Sequence, residues 1–261
     1  MLRLLRIGAM VGLLGLGLAV TFFWFPLASQ ASKTAWVRRW SRWALRACGV
    51  ALRVSGSNPL PSLPGALVLA NHVSWLDIFV FNATHPVTFV AKSEIASWPV
   101  AGVLVSRVGT LFIERGRRHA VHAMIERIET KLRERAVLLV FPEGTTNDGH
   151  TLLPFHANLL QPAVKAQAPV VPAGIRYRGR DGAFPPEVAF VGEITFVASM
   201  WQVLGMRGLV AELHWIAPIE PDPAHTRHAL AEQARAAIAE RLALPVAEST
   251  ARPYRPVAPT A

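Results

Sequence analysis

A histidine and a carboxylate five residues apart are the side chains best suited to acid–base chemistry. His72 and Asp77 lie in Asn71–Asp77, directly after Ala66–Ala70, an apolar run typical of a buried strand. Open α/β sheets place their sites at such strand ends. A histidine can take a proton from a hydroxyl, and a carboxylate on its other ring nitrogen fixes its tautomer. A structural alternative exists, because Ser74 and Asp77 have the spacing of a helix capping box, with His72 bonded to loop backbone.

Two further strand ends carry residues suited to binding. Arg115 closes the segment Gly109–Arg115, and its guanidinium could hold an anionic group through several donors. A surface ion pair is the commoner fate of an arginine. In Phe141–Thr145, Glu143 could bind a hydroxyl or orient the turn, and Gly144 would let a substrate approach closely. The alternative for this segment is a plain strand-ending turn.

The elements that must position these residues are short. The predicted strands are Ala66–Ala70, Val87–Ala91, Thr110–Ile113, Val137–Phe141, Val170–Ile175, Val188–Val191 and Leu209–Ile216. Apolar residues at helical spacing predict helices over Arg118–Arg135 and Pro223–Leu242. This alternation predicts a single α/β domain with a central, mainly parallel or mixed sheet flanked by helices. We place the domain at residues 55–245 and expect a disordered, proline-containing tail over 246–261.

Composition and charge narrow the class of protein. Hydrophobic residues make up 52% of the 261 residues and charged residues 17%, which excludes a disordered or coiled-coil chain. The single cysteine, Cys48, excludes an intrachain disulfide and a multi-cysteine metal site. The net charge is +10, and eight basic residues precede Asp77, the first acidic residue. Because this charge flanks an apolar segment, we expect it to face an anionic membrane surface and not nucleic acid.

Residues 1–54 have the pattern of a membrane anchor. Ile7–Ser32 is an uncharged run of 26 residues. As a helix it is long enough to cross a hydrocarbon core of about 30 Å. A secretory signal peptide cut after Ala31 is an alternative, although the apolar region of such peptides is shorter. The basic excess after the run favours a position of the domain on the cytoplasmic side of the membrane.

The segment after this run predicts an amphipathic helix. On a helical wheel of Trp36–Val54, five arginines share one face: Arg38, Arg39, Arg42, Arg46 and Arg53. Tryptophans beside such a face suit a membrane interface, with the arginines toward anionic headgroups. The alternative is an ordinary surface helix packed on the domain.

Four segments occur in the order typical of one known family. His72–Asp77, Gly109–Arg115, Phe141–Thr145 and Val171–Ala173 resemble the four sequence blocks of the glycerolipid acyltransferases, whose best-known members are 1-acylglycerol-3-phosphate acyltransferases. The resemblance extends to Ala91–Glu94, Trp98, Pro99 and Gly102. The apolar segment with its interfacial helix is similar to the membrane-docking element of bacterial members, which implies a bacterial-type inner membrane.

The resemblance implies a reaction. A fatty acyl group would pass from acyl-CoA or acyl-carrier protein to the free hydroxyl of 1-acyl-sn-glycerol 3-phosphate, a membrane lipid, giving phosphatidic acid. His72 would be the general base and Asp77 the residue that orients it. The acceptor oxygen would attack the thioester directly, so Cys48 is no nucleophile. No metal and no cofactor is implied.

The resemblance also assigns binding residues. Arg115 would contact the phosphate, and Lys92 would add a second cation. Glu143, Gly144 and Thr145 would form the acceptor-binding turn.

One position departs from the commonest family pattern. An arginine usually follows the Glu-Gly-Thr triplet, whereas here Thr146 follows it, and then Asn147–Gly149. This form resembles the branch that includes lyso-ornithine lipid acyltransferases, whose acceptor lacks a phosphate. Loss of one charge-assisted contact, about 1.5 to 3 kcal/mol, would weaken phosphate selection. With Arg115 and Lys92 still present, the sequence keeps lysophosphatidate as the first acceptor and lyso-ornithine lipid as the alternative.

Two alternatives come from other classes. A non-catalytic membrane-attached protein predicts that the side chains of His72 and Asp77 point apart. A metal-dependent hydrolase would use several of the nine histidines, but no paired spacing of the metalloprotease kind supports it.

Overall fold

The computed structural model of the chain describes residues 1–63, 65–113 and 118–247. For Lys92 and for residues 118–121 it describes the backbone alone. Arg115 and most of the predicted tail, residues 248–261, lie outside the described residues.

Within these ranges the strands are β1 (Val50–Ser55), β2 (Ala66–Ala70), β3 (Thr88–Lys92), β4 (Leu111–Ile113), β5 (Val137–Val140), β6 (Val170–Arg178) and β7 (Leu209–Trp215). The α-helices are α1 (Leu2–Ala19), α2 (Gln30–Ala47), α3 (Leu76–Thr84), α4 (Ala101–Arg107), α5 (Arg118–Arg133), α6 (Gln161–Ala166), α7 (Phe196–Gly205) and α8 (Arg227–Leu242).

The described strands form one mixed sheet in the order β1-β7-β6-β2-β5-β3-β4. The five strands β6, β2, β5, β3 and β4 are parallel to one another. β7 runs antiparallel to β6, and the edge strand β1 is parallel to β7. The predicted fold class, a mainly parallel or mixed sheet in an α/β domain, is confirmed.

The middle of the sheet is buried on both faces. All five residues of β2 are buried. Val68 belongs to the core on the side of α2, α3 and α7, and Leu67 and Leu69 belong to the core on the side of α5 and α8. A strand covered on both faces needs an apolar side chain at every position, so its sequence is a continuous apolar run. This burial fixes the strand end from which Asn71 and His72 follow.

The N-terminal apolar run Ile7–Ser32 forms two helices and not one. α1 continues through a π-helical turn, Val20–Trp24, so that Leu2–Trp24 makes a 23-residue apolar helix long enough to cross a membrane. Pro26 follows this helix, and a new helix, α2, begins where Ser29 accepts a hydrogen bond from the backbone N–H three residues on. A capping serine after a proline is a typical start of a second helix.

Side chains hold α1 against the domain. The Arg6 guanidinium donates to the backbone oxygen of Leu204, at the end of α7, over 3.1 Å. Trp40 of α2 donates through Nε1 to the backbone oxygen of Leu13 over 2.9 Å. α1 therefore packs alongside both α2 and α7.

The prediction of one helix over Trp36–Val54 is wrong for its last residues, because α2 ends at Ala47 and β1 begins at Val50. Gly49 has a φ of +73°, a conformation that ends the helix easily only at glycine, and β1 then pairs with β7. Arg53 therefore lies in the sheet, 3.9 Å from Glu212, and does not share the helical arginine face. The other four arginines of that face are on α2 and exposed. We accordingly propose that the domain begins at β1.

The predicted strand Val188–Val191 is also wrong. Pro186–Val188 forms a short 3-10 turn, in which the N–H groups of Val188 and Ala189 donate to the carbonyls of Pro185 and Pro186 and are not available to a neighbouring strand. The N–H of Phe190 instead donates to the backbone oxygen of Val73 over 2.9 Å, so this loop packs against the predicted catalytic segment.

Candidate active site

His72 and Asp77 meet at the carboxyl end of the central strand. His72 Nδ1 lies 2.8 Å from Asp77 Oδ2. The His72 side chain is 20% exposed, while the Asp77 side chain is fully buried. Since the carboxylate can only accept here, we assign the proton to Nδ1, which leaves Nε2 as the acceptor of the neutral ring. The non-catalytic alternative predicted that these two side chains point apart, and in the structure they face each other.

The Asp77 carboxylate receives four hydrogen bonds. Oδ2 accepts from His72 and from the backbone N–H groups of Val73 (2.8 Å) and Ser74 (3.0 Å). Oδ1 accepts from the hydroxyl of Tyr177, 2.5 Å away. Asp77 also lies in the first turn of α3, where a negative charge is favoured by the helix dipole. These donors stabilise an ionised carboxylate without solvent.

The start of α3 forms half of the predicted capping box. Asp77 accepts from the Ser74 backbone N–H, but the Asp77 N–H donates to the Ser74 carbonyl and not to the Ser74 hydroxyl. The same oxygen accepts from His72, so the start of α3 is also what aims the imidazole.

An aromatic ring holds the other side of the histidine. The His72 ring stacks on Phe141, with ring centroids 3.8 Å apart and planes 9° apart. Phe141 follows β5, which neighbours β2. Stacking and the bond to Asp77 together fix the ring, so Nε2 has one orientation.

Glu143 comes from the end of β5 and binds protein groups with both oxygens. Oε1 accepts from the backbone N–H of His72 over 2.8 Å. Oε2 accepts from the backbone N–H of Leu153 over 3.0 Å and from the side-chain amide of Asn147. Asn147 in turn donates its backbone N–H to the His72 carbonyl over 2.8 Å. Glu143 is only 4% exposed, and its carboxylate is occupied by these protein groups. Its direct role in acceptor binding stays a prediction.

Burial dominates the ionisation of Glu143. Desolvation raises the pKa of Glu143 from 4.5 to about 7, although its three donors lower it, and the charge of Asp77 raises it further. The carboxyl therefore titrates close to neutral pH.

The turn after Glu143 faces partly outward. Gly144 has a φ of +72°, which favours glycine, and its N–H donates to the Phe141 carbonyl over 3.0 Å. Thr145 is exposed, in a position open to a ligand. Thr146, which replaces the family's arginine, turns inward and donates through its hydroxyl to the Phe190 carbonyl. That position thus provides a loop contact and no cation.

The two predicted cations are not part of the described site. Arg115 lies outside the described residues, and only the backbone of Lys92, the last residue of β3, is described. β3 and β5 are parallel neighbours, so Lys92 follows the sheet toward the same edge as His72 and Glu143.

An apolar cavity of about 280 Å³ lies near the pair, although neither His72 nor Asp77 lines it. Its walls come from α1, α2, α3, β3, α4 and α7. Trp75 and Phe79 of the α3 region line it, as does Phe89 of β3, whose ring lies 6.3 Å from that of Phe141. Because Phe141 stacks on His72, the cavity is two aromatic rings from the histidine.

Several contributors to the site were not expected from the sequence. Tyr177 reaches Asp77 from β6, a hundred residues along the chain, and Asn147 reaches Glu143. The one signal in the sequence was that both residues lie close to the end of a strand, Tyr177 within β6 and Asn147 in the segment after β5. Tyr177 depends on a long-range pairing of strands, which a single sequence does not reveal, whereas Asn147 lies only four residues after Glu143.

Metal and thiol chemistry have no support in the described residues. Within residues 1–63, 65–113 and 118–247, no three His, Cys, Asp or Glu side chains form a group that could hold a metal ion. Burial raises the pKa of Cys48 to about 12, so this buried residue is a thiol at neutral pH.

Comparison with known proteins identifies the family. A family model described as Acyltransferase matches residues 51–176. The chain is 38% identical to a lyso-ornithine lipid O-acyltransferase of Pseudomonas aeruginosa over 249 residues, 92% of this chain and 93% of that protein. It is 36% identical to a 1-acyl-sn-glycerol-3-phosphate acyltransferase of Neisseria gonorrhoeae over 193 residues, 73% of this chain and 74% of that protein.

A solved structure shares the fold. The crystal structure of the 1-acyl-sn-glycerophosphate acyltransferase of Thermotoga maritima superposes with a TM-score of 0.69 at 20% sequence identity, covering 97% of both chains. With relatives this similar over most of its length, the chain belongs to the acyltransferase family of glycerolipid enzymes.

Proposed function

We propose that the protein transfers a fatty acyl group from acyl-CoA or acyl-carrier protein to the hydroxyl of a lysolipid, using His72 as general base and Asp77 as its orienting partner. The observation that carries this proposal is the 2.8 Å contact between His72 Nδ1 and a fully buried carboxylate. General-base assistance of this kind contributes about 10² to 10⁴ in rate.

The chemistry follows from the orientation of the ring. The acceptor O–H proton passes to His72 Nε2 as the hydroxyl oxygen attacks the thioester carbonyl carbon. Asp77, bonded to Nδ1, stabilises the imidazolium that forms. The carbon–sulfur bond then breaks, and the departing thiolate takes the proton from the imidazolium. Proton, acyl group and thiol balance without an acyl-enzyme.

We propose 1-acyl-sn-glycerol 3-phosphate as the acceptor, with phosphatidic acid as product. Arg115 supports this choice, since its guanidinium matches a phosphate, with Lys92 as a second cation. Gly144 and the exposed Thr145 would then lie along the acceptor, beside Glu143.

Lyso-ornithine lipid is the second candidate acceptor, and two observations favour it. Thr146 supplies no cation and bonds to the Phe190 carbonyl. The relative that spans 92% of this chain is a lyso-ornithine lipid O-acyltransferase, while the Neisseria gonorrhoeae glycerophosphate enzyme spans 73%.

A competition assay separates the two acceptors. Purified protein is given lysophosphatidate and lyso-ornithine lipid together, as wild type, Arg115→Ala and Thr146→Arg. We expect lysophosphatidate to be used, with its KM raised by Arg115→Ala and lowered by Thr146→Arg. Exclusive use of lyso-ornithine lipid, unaffected by Arg115→Ala, would assign the protein to the second candidate.

The cavity near His72 is proposed to hold an acyl chain. Its lining is mainly apolar, and it lies two rings from the reacting nitrogen. Burial of methylene groups there is worth about 0.8 kcal/mol each, which would anchor a long chain.

We propose that exposed apolar side chains of the first helix and of α7 attach the enzyme to the membrane, with the domain on the cytoplasmic side. Phe23 and Leu27 are 80% and 87% exposed at the end of the first helix, and Val197 of the adjoining α7 is 67% exposed. Exposed apolar side chains at these levels are unfavourable in water and favourable in lipid. The exposed arginines of α2 would face anionic headgroups, and the basic excess favours the cytoplasmic side.

Fractionation with protease protection tests this attachment. We expect the full-length protein in the membrane fraction, with its domain accessible only from the cytoplasmic side. A soluble periplasmic species beginning at Ser32 would contradict it.

A further inference from the structure

A buried tyrosine on a distant strand contacts the predicted catalytic carboxylate. The Tyr177 side chain is fully buried, and its hydroxyl donates to Asp77 Oδ1 over 2.5 Å. Oδ2 of the same carboxylate receives three other donors. Tyr177 therefore donates to Oδ1, whereas His72 and the backbone N–H groups that precede α3 donate to Oδ2.

The path of β6 explains how Tyr177 reaches this position. β6 runs parallel to β2 with Ala173 opposite Ala70, the last residue of β2, and then continues. Asn71 extends the pairing with its side chain, since its amide donates to the Ile175 carbonyl (2.9 Å) and its oxygen accepts from the Ile175 N–H (2.7 Å). The residue before His72 thus sets the position of the strand that delivers Tyr177.

The hydroxyl is a permanent donor. Burial and the adjacent Asp77 raise the pKa of Tyr177 well above its ordinary value of 10. The phenol therefore stays protonated throughout the pH range in which a histidine base works. A cation at this position would compete with His72 for the carboxylate charge. The neutral phenol stabilises that charge without such competition.

We propose that Tyr177 is a positioning residue for the His72–Asp77 pair: it fixes the rotation of the Asp77 carboxylate so that Oδ2 faces His72 Nδ1. Rotation of the carboxylate about its terminal bond would break the three hydrogen bonds at Oδ2, and the Tyr177 bond at Oδ1 adds a fourth constraint from the opposite side. This inference rests on the proposed function of His72 and Asp77.

Removing the hydroxyl is the first test. In Tyr177→Phe we expect kcat to fall about tenfold with the KM of acceptor and donor unchanged, as for loss of one hydrogen bond to a charged group. The acid limb of the pH–kcat profile should move to higher pH, because the carboxylate loses a donor that stabilises its charge.

Two controls separate this effect from loss of packing. Leu213→Val removes a methylene from the same core cluster and no hydrogen-bonding group, so its profile should keep the wild-type limb. Tyr254→Phe removes the chain's only other tyrosine hydroxyl and should leave kcat unchanged.

A double-variant cycle tests the route of the effect. If Tyr177 acts through Asp77, Tyr177→Phe should add little to the loss caused by Asp77→Asn. An equal, multiplicative loss in the Asp77→Asn background would overturn the proposal. So would a folded Tyr177→Phe protein with wild-type kcat and an unmoved pH profile.

Fluorotyrosine gives a variant that keeps the ring. In the Tyr254→Phe background, 3-fluorotyrosine occupies position 177 alone and is the stronger hydrogen-bond donor. The acid limb should then move to lower pH, and the fluorine resonance should shift on Asp77→Asn. An unmoved limb together with an unmoved resonance would overturn the proposal even if Tyr177→Phe does not fold. If instead His72→Ala retained transfer, the proposed function would fail while the resonance still reported the contact.

Discussion

The loop that carries His72 and the cavity under the N-terminal helices both pack on α3, but they are built in opposite ways. In the loop, each carboxylate oxygen of Asp77 and Glu143 has identified donors, and single atoms determine the geometry. In the cavity, aliphatic and aromatic side chains from several helices define a volume. We infer that the loop controls whether the reaction occurs and the cavity controls which chain fits.

The two regions should therefore respond differently to substitution. A buried polar network loses its function when one partner is removed, because the remaining groups stay unsatisfied. An apolar wall responds in proportion to the volume added or removed.

After His72→Ala, the largest loss of activity is expected from Asp77→Asn. The amide keeps the shape but removes the charge that stabilises the imidazolium, so kcat should fall by about 10² or more. Acyl transfer by purified protein measures this loss, and thermal unfolding checks the fold. Asp181→Asn, at an exposed carboxylate outside the site, should be unaffected. Near-normal transfer by folded Asp77→Asn would contradict the proposed role of Asp77 as the partner of His72.

A smaller effect is expected from Glu143→Gln. The amide replaces one acceptor oxygen with a donor, so either the His72 N–H or the Leu153 N–H loses its partner. The free energy of unfolding should drop by about 1 to 3 kcal/mol, and kcat should fall because His72 is less well held.

The same variant has a pH dependence of known sign. Because the pKa of Glu143 is raised from 4.5 to about 7, its contribution to stability is complete below pH 4.5 and is lost as pH rises through about 7. Denaturant unfolding between these pH values should show a shallower fall for Glu143→Gln than for wild type. Glu187→Gln, at an exposed carboxylate, should keep the wild-type slope. Equal slopes for all three proteins would show that Glu143 does not titrate there.

The smallest effect is expected in the cavity. Ala91→Leu places three more carbon atoms on its wall and should shift the preference toward shorter acyl chains by a few-fold, with little change in the best kcat. A panel of acyl-CoA chain lengths measures the shift. Val90→Leu, on the same strand but packed against the opposite core, is the matched control. If both variants keep the wild-type preference, the chain binds elsewhere.

The comparison also shows what the sequence could predict. Continuous apolar runs identified β2, β5 and the first six residues of β6, because strand segments buried on both faces leave no polar positions. The His72–Asp77 pair was predictable because both partners lie within one short segment, so local geometry alone brings them together.

The rest depended on contacts between distant parts of the chain. Tyr177 meets Asp77 only because β6 pairs with β2, and Glu143 meets His72 only because β5 does. β1 was taken as helix because its arginine continues the helical spacing of α2, while its pairing with β7 overrides that pattern. The apolar run was taken as one span because its length suffices, while Pro26 and the capping Ser29 divide it.

The measurement that tests the central claim most directly is acyl transfer to a lysolipid by the purified full-length protein, as wild type and as His72→Ala. We predict transfer by wild type and a fall of about 10² to 10⁴ in the variant, with unfolding and membrane association unchanged. His228→Ala, at an exposed histidine on α8, should match wild type. Near-normal transfer by a folded His72→Ala protein would contradict the account.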